Sequence, residues 1–149
     1  MSKKIIIGCD HGGLEMKDQL VEFIKQMGNE VDDCGIYEYK SVDYPEIAKV
    51  VADKVANAQG DLGILVCGTG IGMSLAANKV KGIRAAACSE VYSAKFTRLH
   101  NNSNILCLGG RVIGIETAKI MVDAFINTEF EGGRHQKRVD MIEQIEKGL

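Results

Sequence analysis

The sequence predicts an α/β fold: a Rossmann-like, doubly wound, five-stranded parallel sheet in three α/β/α layers, followed by a C-terminal helix. Three observations predict it. Five short apolar runs alternate with longer amphipathic segments. The run Leu62-Gly63-Ile64-Leu65-Val66-Cys67 is continuously apolar, as a strand covered on both faces would be. The connections are short, and right-handed crossovers then leave few topologies.

The first strand is read over Lys4 to Cys9, three isoleucines entering Gly8-Cys9-Asp10. Leu14 to Met27 follows as a helix, with Leu20, Val21, Ile24 and Met27 at helical spacing and Gly28 as its stop. Glu30 to Cys34 is a short second strand. Pro45 suits the first turn of a helix through Asn57, with Ile47, Val51 and Val55 on one face. Leu62 to Cys67 is the third strand, and a helix from Gly72 to about Lys79 follows. Ile83 to Cys88 is the fourth strand and Val91 to Leu99 the next helix. Ile105 to Leu108 is the fifth strand. Ile115 to Ile126 turns Ala118, Met121, Val122 and Phe125 inward, and Val139 to Lys147 is the final helix.

At 149 residues and 46% hydrophobic, the chain reads as one domain, 1–149, with a real core. A net charge of -2 argues against nucleic acid as the main partner, because phosphate-backbone binding calls for a basic surface. No apolar run reaches the roughly 20 residues of a membrane span. The start is too short for a signal-peptide core, so the expected location is cytoplasmic. The five cysteines are odd in number and irregularly spaced, which does not describe a disulfide framework. No Cys-x-x-Cys or His-x3-His pattern occurs, so no metal site is expected.

In doubly wound sheets, ligands sit beyond the carboxyl ends of the strands, near the point where strand order reverses. Asp10-His11-Gly12-Gly13 follows the first strand and Cys67-Gly68-Thr69-Gly70-Ile71-Gly72 ends the third. Gly109-Gly110-Arg111 follows the fifth, and His100-Asn101-Asn102 follows the fourth helix. We read all four as one cluster. The glycine loop is either a tight strand-to-helix turn or a cradle aiming backbone N–H groups at negative charge. It is neither a P-loop nor a complete dinucleotide fingerprint, since Met73 follows Gly72. Cys67 precedes a helix N-terminus, where backbone dipoles favour a thiolate. A thiolate there serves as a base or as a covalent nucleophile, and the loop N–H groups with the Thr69 hydroxyl would hold an enediolate oxygen. His100 is read as a proton donor, against the alternative of a structural, hydrogen-bonded histidine. Arg134 and Arg138 are four apart, so they share a helix face. They form either a solvated basic patch or a phosphate grip.

Taken together, Gly8-Cys9-Asp10-His11, Asp43-Tyr44-Pro45, Cys67-Gly68-Thr69-Gly70-Ile71-Gly72, Ala77-Asn78-Lys79, Gly82-Ile83-Arg84-Ala85, His100-Asn101 and Glu131-Gly132-Gly133-Arg134-His135 resemble the ribose-5-phosphate isomerase B family. The resemblance runs through essentially the whole chain in collinear order. It implies a metal-free and cofactor-free aldose–ketose isomerase of the pentose phosphate pathway. The implied substrate pair is ribose 5-phosphate and ribulose 5-phosphate, interconverted through an enediol. It also implies a homodimer, with a dimer of dimers as the larger alternative, and active sites at the subunit interface.

Carried over by position, Cys67 is the base and Thr69 with the backbone of Gly68, Gly70, Ile71 and Gly72 is the enediolate cradle. His100 opens the sugar ring. Asp10, Tyr44 and Asn101 bind sugar hydroxyls. His11, Arg134 and Arg138 grip the phosphate, with Arg111 close by. Some members use a glutamate further along the loop in place of the cysteine; Met73-Ser74-Leu75-Ala76 offers no acid, which fits the cysteine subgroup. Two alternatives stand beside this reading: an isomerase of a six-carbon sugar phosphate (allose or galactose 6-phosphate), and a nucleotide-binding regulatory module on the same fold.

Overall fold

The computed structural model describes residues 1–149. The elements run β1 (Lys4–Cys9), α1 (Leu14–Gln26), β2 (Glu30–Asp33), α2 (Tyr44–Ala56), β3 (Leu62–Cys67), α3 (Ile71–Ala77), β4 (Ala85–Ala87), α4 (Val91–Asn101), β5 (Ile105–Gly109), α5 (Ile115–Asn127) and α6 (Arg134–Glu146). All five strands pair in parallel in the order β2-β1-β3-β5-β4. The expected α/β architecture is therefore present.

Alternate residues of the central strands face opposite layers. Ile5, Ile7, Ile64, Val66, Leu106 and Leu108 pack under residues of α1, α4 and α5, among them Leu20, Ala94 and Phe125. Ile6, Leu65, Cys67, Ile105 and Cys107 pack under Val51, Ala52 and Met73 of α2 and α3. Helices cover both faces, which is why β3 reads as unbroken apolar sequence.

Three elements differ from the sequence expectation. β4 shrinks to Ala85–Ala87, because the Arg84 N–H goes to the Asn104 side chain at 2.8 Å instead of to a strand. α4 runs on to Asn101 and stops where Asn102 adopts a left-handed conformation, φ 47. α6 starts at Arg134, after Gly133 at φ 54, so the basic segment that opens the last helix is itself helical ahead of the apolar period read from Val139. Its first turn is mostly polar and carries no apolar period, so apolar spacing alone does not reach it.

The chain reverses direction in the sheet between β1 and β3: β2 lies on one side of β1, and β3, β5 and β4 on the other. The loops after β1 and β3 therefore flank the switch point. Each crossover helix returns the chain to the amino ends of the strands. The last turn of α4 thus lies at the opposite rim from Cys67, separated by the six-residue length of β3, about 20 Å.

Candidate active site

Three strand-end loops interlock at the carboxyl rim. Gly110 N–H donates to the Cys67 carbonyl at 2.7 Å and Arg111 N–H to the Gly68 carbonyl at 3.0 Å. The Asp10 carboxylate, 7% exposed, accepts the Gly12 N–H at 2.8 Å. A Cβ at Gly12 would stand 2.9 Å from the Gly68 nitrogen, and one at Gly110 would stand 2.6 Å from the Gly12 carbonyl. Glycine is needed at these places because three backbones meet with no room for side chains. Gly70, at φ 81, turns the chain from β3 into α3, and its N–H donates to Cys67 Sγ at 3.1 Å.

Side chains surround this backbone cup. The Arg111 guanidinium lies over Gly68 and the Tyr44 ring over Gly72. Thr69 is exposed, and its Oγ1 accepts the Ile71 N–H at 3.2 Å, leaving the hydroxyl proton free to donate. His11 Nδ1 accepts the Val42 N–H at 3.4 Å, and the ring meets Tyr39 edge-on. His11, Tyr39 and Arg111 wall a cleft of about 550 Å³ beside the cup. Tyr39 was not among the expected site residues, because it lies in an irregular loop with no periodic signal.

Cys67 differs from the other four thiols in its surroundings. Burial pushes Cys9 up to about 12 and Cys88 up to about 11, and it also raises Cys107. Burial first and then Asp32 raise Cys34. Those thiols stay protonated at neutral pH. Cys67 is the one at the loop mouth with a backbone N–H on its sulfur, although only 5% of its surface is exposed.

The second group of expected residues sits at the amino rim. The His100 ring stacks on His135 at a centroid distance of 4.0 Å, and Phe96 meets its edge. Glu131 Oε2 lies 3.8 Å from His100 Nε2, and Oε1 lies 3.9 Å from His135 Nε2. Burial first, then His100 and Arg134, lower the pKa of His135, so it stays neutral at pH 7. Asn101 Oδ1 accepts from Thr97 Oγ1 at 3.1 Å. Arg134 and Arg138 share one face of α6, and Arg138 Nη1 donates to the Arg134 carbonyl at 3.0 Å.

The structure thus brings Asp10, His11, Tyr44, Cys67, Gly68, Thr69, Gly70, Ile71, Gly72 and Arg111 together at one rim. It places His100, Asn101, Arg134 and Arg138 at the other. The expectation that four polar segments share one cluster holds for three of them. His100-Asn101 ends a returning helix and so faces the wrong rim, and Arg111 lies near Gly68, not near Arg134. His135 and Glu131 are additions. Their signal in the sequence is the Glu131-x3-His135 spacing, which places both beside one helix start.

No helix is long and apolar enough to cross a membrane. Residues 5–142 match the family described as Ribose/Galactose Isomerase. The chain is 50% identical over 145 residues to ribose-5-phosphate isomerase B of Escherichia coli, with 97% of each chain covered. Its structure is similar to that of ribose-5-phosphate isomerase B of Clostridium thermocellum, with TM-score 0.96, 50% identity, and 97% and 98% of the two chains covered. It is also similar to the Mycoplasma genitalium enzyme with bound ribulose-5-phosphate, with TM-score 0.93, 44% identity, and 98% and 97% covered. With that span and identity, the chain belongs to the ribose/galactose isomerase family.

Proposed function

We propose that this protein interconverts ribose 5-phosphate and ribulose 5-phosphate, with Cys67 as the base. One observation carries the reading: a thiol with a backbone N–H on its sulfur closes a glycine cup at the switch point of the sheet. In its thiolate form Cys67 takes the proton from C2 of the open-chain aldose. The electron pair moves onto the C1 carbonyl oxygen, giving the enediolate. The Thr69 hydroxyl and the N–H groups from Gly68 to Gly72 hold that oxygen. The O2 proton then passes to O1, the O2 electron pair forms the ketose carbonyl at C2, and the C1–C2 π electrons take the proton back from Cys67 at C1. Asp10 and Tyr44 fix hydroxyl groups of the sugar, and His11 with Arg111 faces the phosphate end. This chemistry requires no metal and no cofactor.

His100 opens the furanose ring, and Asn101, Arg134 and Arg138 complete the binding of the sugar phosphate. Because they occupy the far rim, they act on the cup of a second copy. We therefore assign the working unit as a homodimer with two shared sites. Exposed Ile71 and Leu75 on α3 and Tyr92 on α4 supply apolar surface for that pairing. Five free cysteines suit a reducing compartment, the cytoplasm.

Mixing two inactive variants tests this. Cys67→Ala and His100→Asn, refolded together in equal amounts, form hybrid dimers in which one site combines both intact halves. Roughly a quarter of wild-type turnover of ribose 5-phosphate returns under random C2 pairing. No recovery in confirmed hybrids would place both residues in the same subunit's site and refute the shared arrangement.

A further inference from the structure

We infer that His100, Glu131 and His135 form a site for a borderline-soft divalent cation such as Zn2+, and that filling it shuts the enzyme down reversibly. One ligand atom from each residue lies within 4.8 Å of the others. Two imidazoles and a carboxylate are a donor set suited to zinc, leaving one position for water. The ligand atoms of a tetrahedral ion stand about 3.3 Å apart at zinc bond lengths. The observed separations of 3.8 and 3.9 Å to Glu131 therefore close by turning the exposed carboxylate and rotating the His100 ring. That ring is free to move, with 34% of its side chain exposed.

His135 supplies the enclosed nitrogen of the pair. His135 is only 8% exposed. The one donor aimed at its Nε2 is Arg134 Nε, at the outer limit of a hydrogen bond, 3.5 Å. The His100 ring stacks on His135, 10° from parallel at 4.0 Å, so the two in-plane lone pairs run side by side, and the partly exposed His100 ring turns off the stack to bring them onto one ion. Arg134 and Arg138 oppose a cation here, and Glu131 is the one carboxylate in the cluster. Binding is accordingly weaker than in a closed structural site and the ion exchanges freely. The inhibitory half of the inference rests on the ring-opening role proposed for His100, because an ion on that nitrogen blocks its proton transfer. Sequence spacing shows only the Glu131-x3-His135 pair, because the third donor comes from the end of α4.

Calorimetry with Zn2+ and absorption with Co2+ on the metal-stripped full-length protein test the site without reference to turnover. One ion per chain is expected. The Co2+ d–d bands should show nitrogen and oxygen ligation without a thiolate charge-transfer band. His135→Asn should lose at least about 100-fold in affinity, more than an outer-shell change costs. Glu131→Gln, a surface change that does not threaten folding, should weaken binding as well, while Cys67→Ala should bind normally. Zn2+ should inhibit wild-type turnover, and EDTA should restore it fully. Absence of binding, binding that survives both His135→Asn and Glu131→Gln, or a thiolate band lost in Cys67→Ala would overturn the site. Binding as described with turnover untouched would support the site and remove the role given to His100.

Discussion

In the Cys67 cup, backbone groups from three strand ends hold one another, and the side chains need only line the result. In the His100 cluster, side chains from two helix ends do the holding, through ring stacking and long contacts to one exposed carboxylate. The first is fixed by the sheet and tolerates almost no added volume at Gly12, Gly70 or Gly110. The second has room to move. This division suits their proposed tasks. An enediolate needs donors already in position before charge develops, whereas ring opening and phosphate capture need groups that arrive with a partner and adjust.

The sharpest way to break this comparison is to disable the rigid half chemically without disturbing its shape. Cys67→Ala should lower kcat about 10²–10⁴-fold, the usual worth of a positioned base or more, while ribose 5-phosphate still binds. Calorimetry beside turnover separates the two effects. Unchanged kcat would move the base elsewhere in the cup. The mobile half should respond in the other parameter: Arg138→Ala should raise KM about 5–150-fold, the 1–3 kcal/mol of a charge-assisted contact, and leave kcat nearly intact. A fall in kcat with KM unchanged would mean that Arg138 acts on the transition state, not on the phosphate.

Rigidity itself can be tested at Gly70. Its φ of 81 and the 2.9 Å approach of a Cβ to the Leu108 carbonyl carbon leave no strain-free place for alanine. Gly70→Ala should cost about 1–3 kcal/mol of stability, read as a lowered Tm, and should also shift the N–H on Cys67 Sγ. An unchanged Tm would show that the cup is softer than its contacts suggest.

The same contrast explains what the sequence revealed. The cup was legible because two rules suffice: apolar runs give strands, and parallel sheets bind at their carboxyl rim. Asp10, Cys67 and Arg111 follow from these directly. His100 was found as a residue but assigned to the wrong rim, since its rim depends on the direction of α4 and on where that helix stops. The stop is set by Asn102 in the left-handed region, which carries no apolar pattern. His135 escaped notice because α6 begins in a mostly polar turn, and its meeting with His100 is a tertiary contact between distant segments. Tyr39 was missed because the loop before α2 has neither a 2-residue nor a 3.6-residue period to read.

The smallest expected effect concerns a charge that belongs to neither half. Lys17, on the inner face of α1, is fully buried, with Nζ 2.8 Å from Asp18 and 2.9 Å from Asp33. Burial alone would lower its pKa; the hydrogen bonds to Asp18 and Asp33 outweigh burial and hold it above the ordinary value of 10.5. A cation raised in this way stabilises the fold fully below the unfolded pKa, and its contribution disappears as pH climbs through the folded one. Lys17→Met keeps the volume and removes the charge. Its carboxylate partners stay partly in water, with 57% and 27% of their side chains exposed, so the loss should be modest, about 1 kcal/mol at pH 7. Urea unfolding from pH 7 to beyond 10.5 should show that gap constant at first and then narrowing, with turnover at pH 7 unaffected. If the gap instead widened with pH, the cost of burying the ammonium would outweigh its two carboxylates, and the ion pair would not be the source of the stability.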